Sequence, residues 1–221
     1  MPEGLINVNG DNVQTLEVLF LTTVIALLPS ILVMMTSFTR IIISLSFLRS
    51  AMGTQQNPPN MVLVGIALFL TLFIMNPVLT EIQKNAYEPY KQQTITQEQA
   101  LDRAEVPLKR FMLRQTEQSS LNMFCDLAQV DAPVSEEEAM ELSMRVVVPS
   151  YMTSELKRAF EIGFFLYIPF MLIDIVVSST LMSMGMIMLP PAMISMPFKL
   201  LLFVTVDGWQ LLFSTLAQGF R

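Results

Sequence analysis

Four charged side chains stand inside otherwise apolar stretches of this chain: Arg40, Asp174, Lys199 and Asp207. A charge is costly in hydrocarbon or in a dry interior, and it persists where a partner or a polar cavity receives it. Two chemistries are open to these residues. Asp174 and Lys199 can form an ion pair, or Asp174 and Asp207 can act as an aspartyl dyad sharing one proton. Arg40 either faces a partner or snorkels from a helix end. Histidine is absent and Cys125 is the single cysteine. This removes Ser-His-Asp and Cys-His catalysis, His-ligated metal sites and any disulfide within the chain. The acid run Glu136–Glu138 lacks the alternating acids and glycine of a calcium loop and reads as the start of a helix. No catalytic residue, no metal and no cofactor is expected.

The second unusual stretch is Leu181–Pro191, where Met182, Met184, Met186 and Met188 alternate around Gly185 and Pro190–Pro191 close the run. Methionine is not β-branched, and the proline pair ends any strand ladder. Glycine inside and prolines after it also disfavour a long helix. The run reads as an apolar loop between two apolar helices. Thioether side chains are unbranched and polarizable and re-pack easily, so the loop suits a deformable apolar ring or plug made where several copies meet. A core-packing turn is the plainer alternative. The midpoint of Asp174 and Lys199 falls inside this loop. In a helical hairpin turning there the two charges sit at one depth, where pairing would fix the hairpin.

The elements that must position these residues are apolar. The 221 residues are 52% hydrophobic and only 14% charged, against about 25% charged in soluble domains; mean hydropathy is +0.53. With a net charge of −6, nucleic acid is not an expected partner; a membrane is. The start carries Glu3 and Asp11 and no basic residue, so no cleavable secretory signal is read there.

Leu16–Leu48, interrupted by Pro29–Ser30 and by Thr36–Arg40, would run about 50 Å as one helix, longer than the ~30 Å hydrocarbon core, and should tilt, break near Pro29 or be covered by protein. A polar turn, Arg49–Asn60, and the apolar run Met61–Leu79 complete an antiparallel hairpin. Arg40 and Arg49 place that turn on the cytoplasmic side and the N-terminus outside. Residues 81–153 hold most of the charges. Thr96–Gln99 and Ser135–Glu138 are capping boxes, Pro107 should bend or restart the helix after the first, and Thr153 or Ser154 should cap a third long helix. The expectation is an all-α membrane protein with two long Pro-broken helical hairpins, 1–80 and 154–221. A small helical polar domain, 81–153, is inserted between them on the extracytoplasmic side.

Several strings carry a resemblance. Pro29–Arg49, Gly53–Asn60, Phe73–Val78, Glu155–Phe164, Pro169–Asp174, the methionine loop, Pro197–Phe203 and Val206–Trp209 resemble the FliP family of flagellar biosynthesis proteins over residues 16–217. The resemblance implies a homopentamer joined by FliQ- and FliR-type subunits in the export gate of a type III secretion system, in the bacterial inner membrane at the flagellar basal body. Such a gate passes unfolded flagellar proteins, with a separate ATPase and the proton gradient driving the traffic. The family's helices form a cone largely above the bilayer, packed on one another. It further implies that Met182, Met184, Met186 and Met188, with Gly185 permitting the turn, constrict the channel. Asp174 and Lys199 fall on matching positions, and Asp207 is structural. Similar strings occur in the paralogous subunit of virulence-type (injectisome) systems. A small membrane channel or transporter is the remaining alternative, although the two hairpins show poor repeat symmetry.

Overall fold

The computed structural model describes residues 5–8, 11–186 and 189–220. A two-stranded antiparallel hairpin, β1 (Leu5–Val8) and β2 (Asp11–Gln14), precedes the helices; the sequence reading did not anticipate it. Then follow α1 (Thr15–Met35), α2 (Phe38–Met52) and α3 (Asn60–Ile82). A π-helical turn, Gln83–Tyr87, and α4 (Glu88–Lys91) extend α3 into one run, Asn60–Lys91. The polar segment supplies α5 (Gln97–Gln115), α6 (Gln118–Ala128) and α7 (Glu136–Glu141). The chain closes with α8 (Met144–Ser183), α9 (Pro191–Thr205) and α10 (Gly208–Gln218).

Among the described residues, two helical runs are long and apolar enough to cross a membrane, Asn60–Lys91 and Met144–Ser183. Two bent pairs could each complete a further span: Pro29–Met35 with Phe38–Met52, bent by 80°, and Pro191–Thr205 with Gly208–Gln218, bent by 63°. The fold is that of an all-helical membrane protein preceded by the short hairpin.

The first break does not fall where the proline suggests. α1 runs through Pro29, and the chain turns at Thr36–Ser37. A helix end leaves its last carbonyls without intrahelical donors, and here hydroxyls take them. Thr36 Oγ1 donates to Leu32 O (2.5 Å) and Thr39 Oγ1 to Val33 O (2.6 Å). Tyr151 Oη, from α8, donates to Thr36 O at 2.8 Å.

The longest helix is a second correction. α8 starts after Ser143, whose hydroxyl accepts from Arg145 N, and not at Thr153 or Ser154. Those two lie inside it and donate to Pro149 O and Ser150 O. At 40 residues it spans about 60 Å, twice a hydrocarbon core. It therefore serves as a spine: its first turns pack against α5 and α6, and its later turns against α2 and α9. α5 likewise runs unbroken through Pro107.

In the polar segment, Thr96 and Gln99 form both halves of a capping box. Ser135 makes only its own half: its hydroxyl accepts from Glu138 N, while the Glu138 carboxylate accepts from Val134 N.

The main core gathers Ile41, Leu45 and Leu48 of α2, Leu63 and Ala67 of α3, Phe170 of α8, Phe203 of α9 and Leu216 of α10. α3 buries Leu63, Ala67, Thr71 and Met75, a stripe of i, i+4 spacing, and leaves Phe69 and Phe73 outside. A helix apolar on every face needs lipid or protein around it. Gly163 lets α8 close on α2, since a Cβ there would lie 2.4 Å from the Phe47 ring.

Hydroxyls along these helices mostly return to their own backbone. Ser44, Ser46, Ser50, Thr80, Ser150, Thr153, Ser154, Thr180 and Thr215 each donate to the carbonyl four residues earlier.

Candidate functional site

The methionine loop begins as a helix end. Leu181 is buried, and Met184 caps α8. Gly185 takes a left-handed conformation, φ 75°. Gly185 N donates to Met182 O and Met186 N to Leu181 O, both at 3.0 Å. This is the Schellman closure, in which a glycine just past the helix satisfies orphan carbonyls, and it explains Gly185 in physical terms. The thioethers it presents are exposed: Met182 by 68%, Met184 by 72% and Met186 by 39%. Met188 lies outside the described residues. α9 then starts after Pro190 with Pro191 at its first turn, where a missing N–H does no harm.

Below the loop a polar cluster joins α8 to α9. Lys199 Nζ donates to Asp174 Oδ2 at 2.7 Å, and Ser195 Oγ donates to Asp174 Oδ1 at 2.6 Å. Ser195 and Lys199 are four residues apart and share one face of α9. Lys199 Nζ also donates to Ala51 O at 3.0 Å. Ala51 belongs to the last turn of α2, where carbonyls lack partners and a cation suits the helix dipole. One ammonium thus balances a carboxylate and caps a helix of the first hairpin. The lysine side chain is sealed, at 7% exposure, while that of Asp174 is 41% exposed. Asp207 is apart from this cluster in role. It is exposed, with φ 49°, and stands at the N-cap position of α10, at the second bend, without a side-chain bond to the helix. Gly208 beside it packs against the Phe203 ring, which a Cβ would meet at 2.2 Å.

Arg40 is buried, and its partner is Glu155. The carboxylate receives Arg40 Nε at 2.8 Å on Oε2 and Nη2 on Oε1. Such a two-point contact is the strongest form of the pairing. Arg40 Nη2 also donates to Gln115 Oε1 (3.1 Å) and Nη1 to Gly219 O (3.1 Å), and the guanidinium lies 3.8 Å from the centre of the Phe220 ring. A cation in the first turn of a helix opposes the dipole by about 0.3–1 kcal/mol, so Arg40 in α2 needs its carboxylate. Reading α8 from Thr153 or Ser154 makes Glu155 a solvated first-turn acid. It is instead deep in the helix, with no exposed side chain. The unmet need of Arg40 for an acid was the available signal. Ser195 had a weaker one, its i, i+4 relation to Lys199.

At the start of α6, Glu117 pairs with Lys157 of α8 at 2.7 Å. The lysine ammonium holds the Glu117 carboxyl below the usual carboxylate range.

Comparison with known proteins is consistent across the chain. The model of the FliP family matches residues 21–216. The flagellar biosynthetic protein FliP of Pectobacterium carotovorum is 53% identical over 214 residues, covering 96% of this chain and 82% of that protein. The FliP of Bacillus subtilis is 50% identical over 207 residues, covering 94% and 92%. That of Aquifex aeolicus is 46% identical over 212 residues, covering 96% and 88%. With the match running from α1 through the charged hairpin and the methionine loop into α10, the chain belongs to the FliP family.

Proposed function

We propose that this chain is the channel-forming subunit of a flagellar type III export gate, and that its methionine loop is the constriction. Several copies, five by family resemblance, surround one axis together with FliQ- and FliR-type subunits in the inner membrane. Unfolded flagellar proteins pass along that axis. The polar segment, 81–153, lies on the extracytoplasmic side.

The observation that carries the reading is the exposure of Met182, Met184 and Met186 at the tip of a hairpin whose base is held by the polar bonds of the buried Lys199. An apolar tip on a fixed base is a poor surface for water. Repeated around an axis it excludes water and ions by dewetting, without a formal lid. Methionine suits a seal that must open, since three rotatable bonds let the side chains collapse together or fold aside. β-branched side chains would be stiff at χ1. The outward phenylalanines of α3 support the same picture, since they call for lipid or neighbouring subunits.

The test changes Met182, Met184, Met186 and Met188 together to Ala in the full chain, assembled with its partner subunits. The expected complex keeps its size and leaks ions and small solutes. An assembled complex as ion-tight as the parent would overturn the role given to the methionines. A protein that supports motility only as a monomer would overturn the channel.

A further inference from the structure

The turn after α10 has no role in the gate reading, yet its backbone and ring converge on one buried side chain. Gly219 O accepts from Arg40 Nη1 at 3.1 Å, and Phe220 O accepts from Gln115 Nε2 at 3.3 Å. The Phe220 ring covers the Arg40 guanidinium at 3.8 Å and stacks on Phe111 of α5. Gln115 Oε1 accepts from Arg40 Nη2 and also from Arg158 Nη1, at 3.1 and 2.9 Å. Arg40 itself stands in the first turn of α2, just past the 80° bend. Within that bend Tyr151, four residues before Glu155 on α8, donates to Thr36 O. Phe111 also meets the Tyr151 ring edge-on, 6.0 Å between centres.

We infer that Gly219–Phe220 is the closing piece of a socket around Arg40, and that Phe220, Gln115 and Tyr151 are positioning residues that hold the α1–α2 bend at its angle. The argument is one of constraint. A break between two helices leaves the pair free to hinge unless groups from other elements bind both sides of it. Here α8 binds both sides, through the Tyr151 cluster that packs Met35 at the end of α1 and through Glu155 after the bend. The guanidinium is planar with fixed donor directions, so every partner it takes limits the tilt of α2. Three partners come from α8, α5 and the turn after α10. A cation over an aromatic face is attracted to it most strongly where water is excluded, so the ring closes the socket and adds to its hold. The C-terminal turn and the N-terminal helix then move as one body.

The experiment measures the bend in the full chain in lipid nanodiscs. Nitroxide labels are placed at the exposed positions Leu19 of α1 and Leu156 of α8, with a reference pair at Leu72 of α3 and Leu172 of α8. Cys125 is buried and stays in place. The unaltered chain and Phe220→Tyr are expected to give one narrow Leu19–Leu156 distance distribution, since the ring face over the guanidinium is kept. Phe220→Leu, which keeps apolar bulk, and Gln115→Leu should at least double its width, while the reference pair stays narrow. Narrow distributions across the bend in both leucine variants would overturn the inference. So would equal broadening of the reference pair, or loss of helical content in both, since either outcome would make these residues general supports of the fold.

Discussion

Among the described residues, two ion pairs stand inside the apolar helices, and they are built in opposite ways. Arg40–Glu155 is sealed on both sides, with side-chain exposures of 3% and 0%. Lys199–Asp174 is sealed only at the lysine, 7% against 41% at the aspartate. The first pair uses a planar cation with partners on three other elements. The second uses a point charge with one carboxylate and one helix-end carbonyl. Arginine suits fixed multi-point recognition and lysine a single strong charge on a supple stem. The sealed pair therefore reads as a joint of the scaffold. The half-open pair lies beneath the methionine loop and ties its hairpin to the end of α2.

The contrast can be broken by substitution. Removing one member of a sealed pair leaves a buried charge alone, which costs about 3–5 kcal/mol. Glu155→Gln should therefore give the largest loss, read as a fall in the denaturant midpoint of the detergent-solubilised protein and in its cellular level. Arg40→Met combined with Glu155→Leu should regain part of that loss, because two matched apolar groups need no desolvation. A Glu155→Gln protein as stable as the parent would remove the distinction between the pairs.

Asp174→Asn should cost less, about 2 kcal/mol, since the amide still accepts from Ser195 and Lys199 keeps the Ala51 carbonyl. The exchange Asp174→Lys with Lys199→Asp should restore the attraction but lose the cap on α2, so its stability should fall between those of Asp174→Asn and the parent. Ser195→Ala removes one bond to a carboxylate that keeps its lysine, for a loss of about 1 kcal/mol.

The smallest effect belongs to the reference pair outside the apolar contacts, Glu117–Lys157. The Glu117 carboxyl is held down by the ammonium beside it. Its contribution is therefore present above the ordinary carboxylate range and fades as pH falls through the depressed value. Glu117→Gln should be slightly less stable than the parent at neutral pH and equal to it in strong acid. Added salt should narrow the neutral gap, as it does for exposed pairs.

What the sequence made legible follows the same division. The apolar helices, the charged hairpin and the methionine run could be read because each rests on local pattern: hydropathy, and charges placed symmetrically about a turn. Thr96 could be read as a cap because its partner Gln99 is three residues away. Glu155 could not, because its burial depends on where α8 begins, and Ser143 and Thr153 are equally plausible caps until packing is known. Pro29 misled for a related reason. A proline within an apolar helix need not end it where neighbouring groups make good the lost bond, whereas Thr36–Ser37 turns because Tyr151, far along the chain, supplies a donor. Gln115 and Phe220 carry no local signature of their bond, and only the tertiary fold brings them to Arg40.

The serines and threonines of the long helices have a last consequence. A hydroxyl that has already given its proton to its own helix shows a neighbour only lone pairs. In the gate proposed above, such walls could take a passing N–H, as Ser154 takes that of Glu117 at 2.9 Å, but would have no proton left for a passing carbonyl. A sliding chain would then be gripped through its donors alone, and its carbonyls would find no hand to take.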